Sequence, residues 1–307
     1  MTAGGPLLDA ADLHVWIEGS HILQGVSFSM SDRGVTAILG RNGVGKTTTV
    51  KALLGLVPRT GRVVFDGVDT TPLPTHAIVT RGIGYVPEER GIFSALTVAE
   101  NLRIAERRPG RPRYDLVHEL FPELRQRAAQ PAGTLSGGQQ QMLAIGRALL
   151  NDNKLLIVDE PTKGLAPRIV REVADAVARA AEQVPVLLVE QNLSLVRRVA
   201  DHAVVLDAGS VTHTGPALEL LDDADRVRAL LGVARTAADH RSGTGGPGDT
   251  GGTGSPVTTP AGAATDHARP TTPTGSPTST TPPTSTTPPV GTTAPTTPAE
   301  TEGRRTA

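Results

Sequence analysis

The chain has 307 residues, enough for about two domains, with 30 basic residues against 31 acidic ones. That balance excludes the basic footprint of a nucleic-acid binder or of a protein held on an anionic membrane. The absence of cysteine excludes a disulfide scaffold and a thiolate metal site, and it fits a reducing compartment. Residues 1–10 carry neither the basic start nor the long apolar centre of a signal peptide. No apolar run approaches the roughly 20 residues that cross a bilayer. The sequence reads as a soluble, cytoplasmic protein.

Residues 11–30 carry strand patterning: Leu13, Val15 and Ile17, then Ile22, Val26 and Phe28 beyond a Gly19-Ser20 break. A β-branched and aliphatic run over 35–39 ends at Gly40, and after a Gly-rich turn Lys46 opens a segment that reads as a helix to Leu56. Residues 60–67 form a further short strand, which with 11–30 predicts a small antiparallel sheet. Another strand over 82–86 is stopped by Pro87. From 98 to about 150 the period lengthens to that of helix, cut into pieces at Pro109, Pro112, Pro122 and Pro131. Within that stretch Arg107, Arg108, Arg111 and Arg113 lie among prolines and read as a solvated loop. Residues 154–158 and 186–189 are continuous apolar runs of buried parallel-sheet type, with a helix predicted over 168–183 between them. Residues 202–212 read as a closing hairpin around Ala208-Gly209, followed by a helix to about Leu231. Such alternation is α/β with a mainly parallel sheet. About half of the 25 prolines fall beyond residue 240 and the last aromatic is Phe121, so 236–307 reads as a disordered tail.

Chemistry concentrates in three stretches. Gly40-Arg41-Asn42-Gly43-Val44-Gly45-Lys46-Thr47-Thr48, between strand and helix, is a phosphate-binding loop. Its glycines let backbone N–H groups converge on one anion, and the helix that follows aims its positive end at it. Lys46 is placed to reach the β- and γ-phosphates, and the Thr47 hydroxyl to complete a Mg2+ site. The run 155–158 delivers Asp159 and Glu160 at a strand end. Asp159 is placed to hold Mg2+ with Thr47, and Glu160 to orient and deprotonate water. Ser136-Gly137-Gly138-Gln139 opens a second helix whose N-terminus is able to cap an anion.

Leu135-Ser136-Gly137-Gly138-Gln139, with the phosphate loop before it and Asp159-Glu160-Pro161 after it, resembles the ATP-binding subunits of ABC transporters. The resemblance covers about 11–233 and implies a P-loop NTPase of ABC cassette type. Such a cassette has a mixed, mainly parallel sheet, a flanking antiparallel β subdomain, and a helical subdomain at about 90–150. It also implies a head-to-tail dimer, with itself or with a related ATPase. Each signature loop, Ser136 to Gln139, then covers the ATP and Mg2+ held by the other subunit. A separate membrane permease, an extracytoplasmic solute-binding protein acting through it, a place on the inner face of the membrane and no nucleic acid partner follow from the same likeness.

Several loops depart from the family's pattern. Gln191 stands where a switch His is usual, keeping a hydrogen bond for the γ-phosphate without a titratable charge. Glu88 stands where Gln is usual, as a further metal ligand or as part of a solvated charge cluster. Ala166 stands where an Asp commonly makes a cross-dimer contact. The place of the adenine-stacking aromatic holds Ile17, with Trp16 beside it. Trp16 stacks on the base if the register shifts by one, and packs otherwise. Pro87-Glu88-Glu89-Arg90, Gly164-Leu165-Ala166-Pro167 and Val189-Glu190-Gln191-Asn192 resemble the branched-chain amino acid uptake branch, and the phosphate loop its urea-type members. Non-transport ABC ATPases fit less well. About 90 residues separate Gly45 from Leu135, with no heptad run.

Overall fold

The structure, a computed structural model, describes residues 5–107 and 110–232; Arg108 and the expected tail over 236–307 lie outside them. Strand β1 (Leu8–Ile17) begins three residues ahead of the patterned stretch and turns at Gly19 into β2 (Ser20–Met30). Their buried sides carry Leu8, Ala10, Leu13 and Val15 against Leu23, Val26, Phe28 and Met30. Strand β3 (Val35–Leu39) is buried along its whole length and leads through the glycine turn into α1 (Lys46–Leu53). That helix stops short of Leu56, with Gly55 at φ 68° just past its end. A hairpin of β4 (Thr60–Phe65) and β5 (Val68–Asp69) completes an antiparallel sheet in the order β2-β1-β4-β5.

Helix α2 (Thr75–Val79) precedes β6 (Ile83–Val86). The proline-rich stretch resolves into α3 (Val98–Arg103), α4 (Tyr114–Leu120), α5 (Pro122–Gln126) and α6 (Gly137–Leu149). Thr97 and Glu100 form a reciprocal cap on α3, and Pro122 opens α5, where a missing N–H costs nothing. The rest alternates: β7 (Leu155–Asp159), α7 (Pro167–Ala181), β8 (Val186–Glu190), α8 (Leu193–Val199) and β9 (His202–Asp207). Then come β10 (Ser210–Pro216), α9 (Ala217–Asp222) and α10 (Ala224–Leu231).

A second sheet runs β10-β9-β3-β8-β7-β6, parallel except for the β9–β10 hairpin. Alternate residues of β7 and β8 feed two cores. Leu156, Val158 and Leu188 pack with Leu143, Ile145 and Val177 on one face. Leu155, Ile157, Leu187 and Val189 pack with Val50, Leu53 and the β1–β2 hairpin on the other. Burial on both faces is why these strands read as unbroken apolar runs. Register sets Leu39 opposite Glu190 and Asp159 opposite Val189, so the carboxyl ends of β3, β8 and β7 line up. Ligands of α/β sheets collect at such ends.

One expectation fails here. Arg107 is half-buried and engaged with the protein: its guanidinium donates to the carbonyls of Ile83 (2.9 Å) and Val79 (3.4 Å) and to Asn153 Oδ1 (3.2 Å). Burial lowers its pKa from the ordinary arginine value. A planar fork of donors suits free carbonyls at helix and strand ends, which composition alone does not reveal.

Candidate active site

Helix α1 begins at Gly45, in the left-handed region at φ 107°, with no side-chain cap and no acidic residue in its first turn. A Cβ at Gly45 would sit 2.7 Å from Leu23 Cδ2, so only glycine brings the loop this close to β2. The first N–H groups of α1 are left for an anion. Lys46 is buried and folded back: Nζ donates to the carbonyls of Gly40 (3.0 Å) and Arg41 (3.1 Å) and pairs with Glu160 Oε1 at 3.1 Å.

The two acidic residues leaving β7 are both buried. Thr47 Oγ1 donates to Asp159 Oδ1 at 3.3 Å. Burial pushes the Asp159 carboxyl up to about 6, against the Thr47 bond and the Lys46 charge, which favour ionisation. Glu160 sits at φ 43°, unusual for a non-glycine residue. Its second oxygen lies 3.7 Å from Lys163 Nζ, which also bonds Glu88. Glu88 is thus engaged with a lysine, beside the carboxylate pair, and its charge adds to the upward push on Asp159. Among the described residues no group of three or more His, Asp or Glu side chains is gathered as a metal cage.

A cleft of about 440 Å3 is lined by Ile17, Glu18, Ser20, Ile22, Gly43, Gly45, Lys46, Thr47, Thr48 and Glu160. Ile17, not Trp16, forms its apolar wall. Trp16 lies on the other side of β1, stacked on His21 with ring centroids 4.3 Å apart and planes 5° apart. A register irregularity falls between Val15 and Trp16, and Ile17 is the one of the two that lines the cleft. Across the loop, Gly40, Arg41 and Asn42 line a second cleft of about 360 Å3 with Leu39, Gln191, Leu193 and Leu231. Val44 packs into the core, its carbonyl accepting from Gly209 N at 3.1 Å.

Helix α6 starts differently. Ser136 Oγ accepts from Gln139 N (3.3 Å) and Gln139 Oε1 from Ser136 N (3.1 Å), a complete capping box. Gln139 Nε2 also reaches Glu123 Oε2 at 2.8 Å. Gly137 and Gly138 follow, and a Cβ at Gly138 would meet Ile169 Cγ2 of α7 at 2.6 Å. None of residues 136–139 lines either cleft beside the phosphate loop. The chain's own signature turn and phosphate loop do not come together.

The sequence profile described as ABC transporter matches residues 23–163. The probable branched-chain amino acid transport ATP-binding protein LivF of Archaeoglobus fulgidus is 35% identical over 234 residues, covering 74% of this chain and 99% of that protein. The high-affinity branched-chain amino acid transport ATP-binding protein BraG of Pseudomonas aeruginosa is 41% identical over 204 residues, 64% of this chain and 88% of that one. The chain belongs to the ABC transporter family of ATP-binding proteins. Its fold matches the ADP conformation of MJ1267, an ATP-binding cassette of an ABC transporter, with a TM-score of 0.65 at 27% identity, covering 73% of this chain and 98% of that one.

As an ABC ATPase, the chain binds and hydrolyses ATP. Among the described residues no helix is long and apolar enough to cross a membrane. Two residues at the cassette's site escaped the sequence reading: Lys163, which bridges Glu88 and Glu160, and Glu190, buried behind Gln191. Glu190 carried one signal, an acid closing an apolar strand that is otherwise buried throughout.

Proposed function

We propose that this chain is the ATP-hydrolysing subunit of an ABC importer for branched-chain amino acids, with residues 11–233 as the cassette, extended forward to Leu8 by β1. The reading is carried by the pairing of Lys46 with Glu160 and of Thr47 with Asp159 at the carboxyl end of β7. The names of the LivF and BraG relatives support the substrate class.

The residues act in sequence. The uncapped end of α1 and the loop from Gly40 to Thr48 receive the triphosphate, and Ile17 covers the base. Lys46 leaves Glu160 for the phosphates, which frees the Glu160 carboxylate to take a proton from the attacking water. Gln191 holds the γ-phosphate side by hydrogen bonding. The Thr47 hydroxyl and the Asp159 carboxylate are hard oxygen donors side by side, which suits Mg2+, and Glu88 is a third donor once Lys163 lets go. When bound there, Mg2+ would neutralise negative charge on the triphosphate. Ser136, Gly137, Gly138 and Gln139 act on the nucleotide of a second ATP-binding subunit, because their own loop is out of reach.

A groove of about 290 Å3 lined by Tyr85, Pro87, Arg90, Gly91, Arg107 and Arg147 supports docking of a membrane permease on the inner face of the membrane. Glu160→Gln is the test. The variant keeps ATP binding, loses about 10²–10⁴-fold in turnover, and runs as a dimer with ATP and Mg2+ in size-exclusion chromatography with light scattering. Wild-type turnover by this variant removes Glu160 as the base, and a strictly monomeric variant removes the paired site. Uptake of labelled leucine into vesicles carrying the permease, driven by ATP and this chain, tests the substrate.

A further inference from the structure

Glu190 ends β8, and it is 1% exposed. Both of its oxygens are occupied. Oε1 accepts from Thr162 N (3.2 Å) and from the Thr162 hydroxyl. Oε2 accepts from the backbone N–H groups of Gln191 (2.7 Å) and Asn192 (2.8 Å). Among the described ion pairs none neutralises it, so it is a buried carboxylate held by N–H and O–H donors. Such a group is costly to bury and is tolerated when its acceptor capacity is filled.

The bonds run to two different loops. Thr162 lies two residues after Glu160 on the way out of β7, and Gln191 opens the loop out of β8. Glu160 holds φ 43°, a conformation that persists only when its surroundings fix it. Its own N–H donates to Val189 O at 2.9 Å on one side, and the Thr162–Glu190 bonds hold the turn on the other. We propose that Glu190 is a positioning residue for ATP hydrolysis. It clamps the Glu160 turn and the Gln191 turn into one unit, so the proton-accepting carboxylate and the γ-phosphate-facing amide keep a fixed mutual placement. The inference rests on the roles given above to Glu160 and Gln191.

The test uses the full chain with Glu190→Gln, Thr162→Val and the pair, read by steady-state ATP hydrolysis and by amide hydrogen exchange. Glutamine keeps the shape and one acceptor oxygen but turns an NH2 group toward one of the two loops. Glu190→Gln lowers kcat about 10–100-fold, the worth of a charge-assisted bond, with KM for ATP within about twofold. Thr162→Val lowers kcat about tenfold, and the double variant is no slower than Glu190→Gln alone, because both remove one link. The amides of Thr162, Gln191 and Asn192 lose protection together in Glu190→Gln. A kcat within about twofold of the unmodified chain, a change confined to KM, or multiplicative effects in the double variant overturns the clamp. If Glu190→Gln does not fold, an unchanged kcat in Thr162→Val overturns it and a loss supports it. If the unmodified chain fails to hydrolyse ATP, the functional reading falls. Hydrogen exchange then decides the clamp, and unchanged protection at the three amides overturns it.

Discussion

Two helix N-termini in this chain are finished in opposite ways. Helix α1 starts bare, at a left-handed glycine with no side-chain cap and no acid in its first turn. Helix α6 starts with Ser136 and Gln139 satisfying each other's backbone N–H groups. A bare end gives up stability to keep donors for a ligand, whereas a boxed end is stable without one. The difference teaches that the phosphate loop is a seat that one chain can offer alone. On the function proposed above, the signature turn is a finished surface that meets phosphate when another subunit brings it.

Lys46→Ala breaks the comparison most severely. It leaves the bare end without its cation, and ATP turnover is expected to fall at least about 10³-fold, with ATP binding lost in calorimetry. Retained affinity refutes the seat. Asp159→Asn acts next, on stability. With its carboxyl raised to about 6 from 3.8, the folded chain keeps a proton between those values that the unfolded chain has released. Stability therefore falls as pH rises through that window, and the deficit persists at pH 7. Removing the buried charge should stabilise the chain free of nucleotide and divalent cation by roughly 3 kcal/mol at pH 7, and by little below pH 4. Urea melts at the two pH values check the sign.

Ser136→Ala sharpens the other side. Losing the cap costs about 1 kcal/mol of folding stability, visible as a lower melting temperature without nucleotide, and turnover falls while ATP binding to the monomer holds. The smallest effect separates the two candidates for the adenine wall. Ile17→Ala raises KM for ATP a few-fold through lost apolar contact, while Trp16→Phe leaves it within about twofold. Because Trp16 is the single tryptophan, its fluorescence reports the same distinction, staying nearly constant as ATP fills the cleft.

The pattern of what was legible in the sequence has a physical cause. The phosphate loop, Asp159-Glu160 and the Ser136 turn are contiguous, so their geometry is fixed within a few residues and could be read locally. The parallel character of the main sheet followed from continuous apolar runs such as 155–158 and 186–189, whereas the strand order did not. Arg107 and Glu190 were illegible because their partners lie far along the chain: Ile83 and Asn153 for the first, Thr162 for the second. A charged residue in a polar run, or at a strand end, looks the same in sequence whether water or a distant carbonyl satisfies it. Trp16 and Ile17 lay between these cases, since alternation along β1 favoured Ile17 but the irregularity beside Trp16 was invisible until the pairing was known.

Leu231 forms a wall of the cleft that also holds Arg41 and Gln191, and a Cβ added to Gly232 would lie 3.5 Å from the Arg41 guanidinium. Helix α10, the last among the described residues, is therefore a buttress of the cleft beside the phosphate loop. Loss of the final turn of α10, which carries Leu231, opens the side of the phosphate loop that Gln191 faces.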